Sequence, residues 1–95
     1  MDRDVRLRRA AQRNIPQLPQ TVQDALYLLI LEIEKGGPVR GNWPNYSKLS
    51  RSNVHHCHLA KGKPKYVAIW EEDKKTKIIY VEYVGTHQNV NYNLY

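Results

Sequence analysis

The side chains best suited to chemistry lie in one short string, His55-His56-Cys57-His58, with a fourth histidine, His87, further along. Imidazole titrates near neutral pH, so it can take a proton from a hydroxyl or return one to a leaving alkoxide. Lys61, Lys63 and Lys65 follow the string at once, and ammonium groups stabilise the charge that builds on a phosphate as it becomes five-coordinate. On a strand, successive side chains alternate, which puts His56 and His58 on one face and His55 and Cys57 on the other. That parity breaks up a metal site built from all four. Two imidazoles on one face need further ligands, and the chain offers only His87 and acids in other segments. With a single cysteine there is no zinc-ribbon spacing either, so no metal is expected. Cys57 is expected as a small buried residue, not a nucleophile. His87 follows Gly85-Thr86 just past a strand, a place where working side chains are often presented. A turn histidine capping that strand accounts for it equally well.

The charge distribution points to a partner. The net charge is +6. From Lys35 to Trp70 the chain carries Lys35, Arg40, Lys48, Arg51, Lys61, Lys63 and Lys65 with no Asp or Glu. Such a stretch projects a positive potential, the footprint for a phosphate-rich ligand. Trp43, Tyr46, Tyr66 and Trp70 are interleaved with these cations, and aromatics stack on unpaired bases while cations meet phosphates. Trp43, Lys48, Arg51 and Tyr66 are therefore candidate RNA-binding residues; the alternative is a solvated basic surface that serves solubility. At 41% apolar and 25% charged the composition is that of a globular protein, and residues 1–95 suffice for one domain with one modest core. No run of apolar residues is long enough to span a bilayer, so no membrane partner is expected. The charged N-terminus lacks a leader-like apolar core. A lone cysteine excludes an internal disulfide and fits a reducing cytoplasm.

The elements that must position these residues follow from periodicity. Residues 4–12, rich in Arg and Ala, predict a first helix, ended by Ile15-Pro16-Gln17-Leu18-Pro19. Val22, Ala25, Leu26, Leu29, Ile30 and Ile33 recur at three- and four-residue steps and predict a second helix with one apolar stripe. Thr21 and Asp24 have the spacing of a capping box at its start. Lys35, Gly36-Gly37 and Pro38 are its stop signals. The period then changes to that of strands, over Val54 to Leu59, Lys65 to Glu71 and Lys77 to Val84, with a short one near Tyr46 to Leu49. Lys61-Gly62-Lys63-Pro64 and Asp73-Lys74-Lys75-Thr76 predict the hairpin turns. The fold class is α+β: two N-terminal helices on one face of a curved antiparallel sheet, the other face open.

In this order of elements, "LPQTVQDAL", "IEKGGPVRGNWPNYSKL", "HHCHLAKGKPKYVAIWEED" and "KIIYVEYVGTH" resemble the RelE/ParE toxin superfamily, and within it the RelE/YafQ-like messenger-RNA interferases. The resemblance covers residues 5–92 or so and is strongest from Gly41 to His87. It implies the same two-helix, curved-sheet fold, and a metal-free endoribonuclease that cuts mRNA in the ribosomal A site and is silenced by a cognate antitoxin. Residue by residue, Cys57-His58 matches the "CH" ahead of the hairpin turn in YafQ-like members. His56 and His58 fall on the basic positions of that strand, and Lys65 falls on the basic position opening the next one. Tyr66 takes the place of an aromatic that stacks or packs there. Gly85-Thr86-His87 matches the "G-[ST]-H" that carries a catalytic histidine, and Tyr92 lies in the region of a C-terminal aromatic. The implied roles are His87 as general acid, His58 or His56 as base, and Lys61, Lys63 and Lys65 on the phosphate. Acid and base labels are interchangeable at this stage. Two departures stand out: the N-terminal edge strand of the family is apparently missing, and Lys65 stands where some members carry Arg. ParE-like relatives, which inhibit gyrase, share the fold without this histidine set; an inactive RNA- or antitoxin-binding module is the other alternative.

Overall fold

In a computed structural model of the chain, residues 2–49, 53–62 and 64–90 are described. Strand β1 (Val5–Leu7) leads into helix α1 (Arg9–Asn14), a 3-10 turn (Ile15–Gln17) and helix α2 (Gln20–Gly36). Strands β2 (Ser47–Leu49), β3 (Val54–His58), β4 (Tyr66–Glu72) and β5 (Ile79–Thr86) follow, with a last 3-10 turn at His87–Asn89. The five strands form one sheet in the order β1-β5-β4-β3-β2. All neighbours are antiparallel except β1, which runs parallel to β5. The two helices and the antiparallel β2–β5 meander match the expected α+β class.

The edge strand that the sequence appeared to lack is present, and it corrects the N-terminus. Residues 4–12 are not one helix: Val5–Leu7 pair with Ile79–Val81, and helix begins only at Arg9. The Ile79 N–H donates to the Asp4 carbonyl and the Arg8 N–H to that of Val81, both at 2.9 Å. Val5 and Leu7 pack on the core while Arg6 stays exposed beside Asp4 at 2.8 Å.

Helix α2 behaves as its periodicity requires. Val22, Leu26, Leu29 and Ile33 are buried; with Ala11, Cys57, Ala68, Trp70, Val81 and Val84 they form the core. The capping box is absent: the N-cap is Pro19, and no side chain caps the helix. Gln20 Nε2 instead reaches Asp24 Oδ1 at 2.9 Å, and Gln23 Nε2 the Leu18 carbonyl at 2.9 Å. At the other end Gly37 takes φ 98°, the left-handed region open to glycine, and donates its N–H to the Ile33 carbonyl at 2.8 Å.

The β4–β5 hairpin turns on Asp73, whose Oδ1 accepts the N–H groups of Lys75 at 2.8 Å and Thr76 at 3.2 Å. Along this hairpin Ile69 faces Tyr83 and Trp70 faces Val81, so Glu82 has no opposite residue. That one-residue bulge shifts the parity of β5. Val81 and Val84 can therefore both enter the core. The sheet's second face is also less bare than expected, since Val67 and Ile69, which alternate with core-facing Ala68 and Trp70, are fully buried.

Candidate functional site

Strand β3 divides its histidines as alternation demands. His55 pairs with Trp70 and Cys57 with Ala68, on the side of the helices; His56 pairs with Ile69 and His58 with Val67, on the other. Cys57 is fully buried, and burial pushes its thiol up to about 12, so it stays protonated and unreactive at neutral pH. His55 is a structural residue. Its ring lies against Trp70, 5.8 Å between centroids and 10° from parallel, and the Tyr46 hydroxyl hydrogen-bonds to its Nδ1 at 2.7 Å.

On the second face three imidazoles meet. The rings of His56 and His58 lie 6.0 Å apart and those of His58 and His87 5.6 Å apart, both edge to face. His87 reaches this position because its N–H donates to the Lys65 carbonyl at 2.8 Å, one step beyond the Tyr66–Thr86 pair. Lys65 borders two clefts. One, of about 210 Å³, includes His58, Asn45 and Lys61; the other, of about 270 Å³, includes His87 and Gln88. Ser47 Oγ lies 2.9 Å from His56 Nδ1 and fixes that ring. The sequence hinted at Ser47 only through a short strand near Tyr46 to Leu49; its register against β3 makes the contact.

Electrostatics sets these imidazoles apart. His58 is held below its usual range by burial, then by His56, His87 and Lys65 in that order. His56 is also held low, mainly by burial and further by His87, against a hydrogen bond with Ser47 that works the other way. Both therefore favour the neutral form, which can accept a proton. The opposite end of the face is acidic: burial and Glu82 raise the Glu71 carboxyl, and Arg8 lies 3.4 Å from Glu82 and 3.8 Å over the Tyr80 ring.

The remaining candidates are placed less centrally. Lys48 pairs with His55 and so alternates to the helix side. Trp43 is half-buried, with its indole N–H donated to Glu32 Oε1 at 3.0 Å. Tyr66 is half-buried and packs on the core at the start of β4. Arg51, Lys63 and Tyr92 lie outside the described residues. Among the described residues no group of three His, Cys, Asp or Glu is disposed to hold a metal ion, and no helix is long and apolar enough to cross a membrane.

The same histidines make folding sensitive to acid. His55, His56 and His58 are all held below the usual imidazole range in the fold, chiefly through burial. The unfolded chain therefore binds more protons as pH falls through this range, and stability rises with pH. The urea midpoint is expected to be lower at pH 5 than at pH 7.5. An equal or higher midpoint at pH 5 would contradict the burial argument.

No family model and no curated protein matches the sequence. Solved structures do match the fold. A double mutant of the Escherichia coli toxin RelE in the free state superposes with a TM-score of 0.75 at 15% identity, over 99% of this chain and 93% of that one. The RelE–RelB complex of Pyrococcus horikoshii OT3 matches with a TM-score of 0.67 at 13% identity, over 95% and 100%. A metal-bound toxin from Helicobacter pylori matches with 0.69 at 15% identity, over 96% and 100%. The fold is RelE-like.

Proposed function

We propose that this RelE-like chain is the toxin of a toxin–antitoxin pair, an endoribonuclease that cuts mRNA in the ribosomal A site. The observation that carries the reading is the contact of His58 with His87, 5.6 Å between rings, beside Lys65. Two imidazoles at this spacing can serve the two ends of one phosphodiester. His58, biased toward its neutral form, takes the proton of a ribose 2′-hydroxyl. The oxygen attacks the adjacent phosphorus, the bond from phosphorus to the 5′-oxygen breaks, and His87 gives that oxygen a proton. The products are a 2′,3′-cyclic phosphate and a 5′-hydroxyl. Lys65 and Lys61 offset charge on the five-coordinate phosphorus, and Lys63 is given the same role through the family resemblance. Lys binds phosphate as a point charge, not as the bidentate fork of Arg. His56, steadied by Ser47, is the second acceptor. Tyr92 is assigned to the codon through the family resemblance. RelE of Pyrococcus horikoshii was solved with RelB, which supports a cognate antitoxin here; its place over the basic face and a cytoplasmic setting are part of the proposal.

Induced expression with primer extension on a reporter mRNA tests the reading, alongside cleavage on programmed ribosomes in magnesium buffer by purified protein, either untreated or stripped with EDTA and desalted beforehand. Codon-phased cuts by both preparations are expected. Cuts lost on stripping and restored by a transition metal would overturn the metal-free chemistry. Growth arrest without cuts would overturn the nuclease and favour a gyrase-type target.

A further inference from the structure

A cleft of about 420 Å³ among the described residues is separate from those that hold the histidines. It lies at the same sheet end, between β5 and the α1 region, and its walls include Asn14, Gln17, Tyr66, Tyr83, Thr86 and Asn89. We infer that this cleft is a nucleobase pocket, which takes one unpaired base of the RNA next to the phosphate held by His87 and Lys65. The inference rests on the ribonuclease reading for the position of that phosphate.

The chemistry of the walls is that of base recognition. Two tyrosine rings offer stacking surfaces. Three carboxamides each present donors and an acceptor, the complement of the edge of a base. Among the described residues the walls carry no charged group, so they suit a neutral heterocycle better than a phosphate or a lysine.

Several contacts hold the pocket open and ordered before any ligand arrives. Asn14 Nδ2 donates to the Val84 carbonyl at 2.8 Å, which uses one face of the amide and leaves its oxygen for another partner. The Tyr83 hydroxyl donates to the Thr86 carbonyl at 2.9 Å and so folds the ring along β5. Gly85 makes room for it: a Cβ there would stand 2.5 Å from the Tyr83 hydroxyl oxygen.

Position links the pocket to the histidine site. Tyr66 and Thr86 face one another across β4 and β5 in this pocket, while the residues beside them in sequence, Lys65 and His87, line the neighbouring cleft. A nucleotide lying over this strand end therefore meets cations with its phosphate and tyrosines with its base. The two clefts adjoin because the His87 N–H donates to the Lys65 carbonyl, one step beyond the Tyr66–Thr86 pair.

The test uses the full chain and a set of 2′-O-methyl hexanucleotides, which bind without being cut, each with one abasic position. For the wild-type chain, one abasic position should weaken binding about tenfold more than the others, the scale of one base stacked on an aromatic ring. In Gln17→Ala/Asn89→Ala, whose two exposed side chains lie outside the core, the excess loss at that position should shrink, since the amide contacts go while stacking on the tyrosines stays, and the salt dependence of binding should stay as it was. Equal losses at every abasic position, or a double variant that keeps the wild-type profile, would overturn the pocket and leave the cleft to a protein side chain. A chain that never cuts RNA but shows the single sensitive position would refute catalysis alone. A chain that cuts RNA without such a position would refute the pocket alone.

Discussion

Replacing His87 by Ala is expected to lower the rate of RNA cleavage by about 10²- to 10⁴-fold, the range of a lost general acid or base, with little change in stability. The second half of that expectation comes from position. His87 is exposed in a 3-10 turn after β5 and contributes nothing to the buried core, and substitutions at such positions usually stay within about 0.5 kcal/mol. The two halves together separate a catalyst from a turn histidine, since a strand-capping residue would cost stability and leave the rate alone. His58→Ala sharpens the assignment. His58 is 9% exposed and its neutral form is favoured by burial and by His56, His87 and Lys65. If it is the base, the acid limb of the bell-shaped rate profile lies below the usual imidazole range and disappears in this variant. Loss of a charged neighbour is a further check: removing His87 takes away one of the influences that hold His58 low, so the acid limb should move upward in whatever activity remains. Cleavage at the wild-type rate in His87→Ala would remove the proposed acid altogether.

Trp70→Ala is expected to cost about 3–5 kcal/mol of folding stability, as deletion of a buried large aromatic does. The total for a domain of this kind is about 5–15 kcal/mol, so the variant stands near the edge of unfolding. Trp70 is fully buried in the core, is stacked on His55, and donates its indole N–H to the Pro38 carbonyl at 2.9 Å. The last contact ties β4 to the segment just after α2. Trp70→Phe keeps a ring but leaves that carbonyl without its donor; a smaller loss, about 1–3 kcal/mol, is expected. Trp43→Ala should cost less than Trp70→Ala, because its ring is half-buried at the margin of the core. Urea midpoints of the three variants check the ranking. A Trp70→Ala variant within about 1 kcal/mol of wild type would show that the core closes without it.

Trp70 also illustrates how composition misleads. In the sequence it stands among cations and aromatics, in company with Trp43 and Tyr66, and the pattern resembles a nucleic-acid surface. The sheet's alternation instead turns Trp70 to the helices along with His55, and Trp43 is tied to α2 through Glu32. A basic, aromatic-rich stretch constrains composition, whereas parity and register choose which of its side chains meet solvent. Tyr66 has an intermediate fate, half-buried on the core yet lining the cleft of about 420 Å³. Asn14, Gln17 and Tyr83, which share that cleft, carry no signal in a linear reading. They are ordinary amides and an ordinary aromatic until α1 and β5 bring them together.

Other parts of the molecule are determined by local rules and were legible without coordinates. The stripe of Val22, Leu26, Leu29 and Ile33 specifies α2 and its buried side, because helix periodicity depends only on neighbours three and four residues away. Gly37 ends it for a similarly local reason. The division of His55-His56-Cys57-His58 into two faces is equally local, since alternation is a property of a single strand. Tertiary structure decided the rest. Strand β1 is three residues long, with too little length for a periodic signal, and exists because β5 offers it hydrogen bonds. The contact of Ser47 with His56 needs the β2–β3 register. The approach of His87 to His58 needs the β4–β5 register with its bulge at Glu82, a slip of one residue that changes which face every later side chain joins. Such a register is a sum over the whole sheet and its packing, and no single segment encodes it. The histidines were thus apparent from their own string, and their meeting place was set by strands on either side of them.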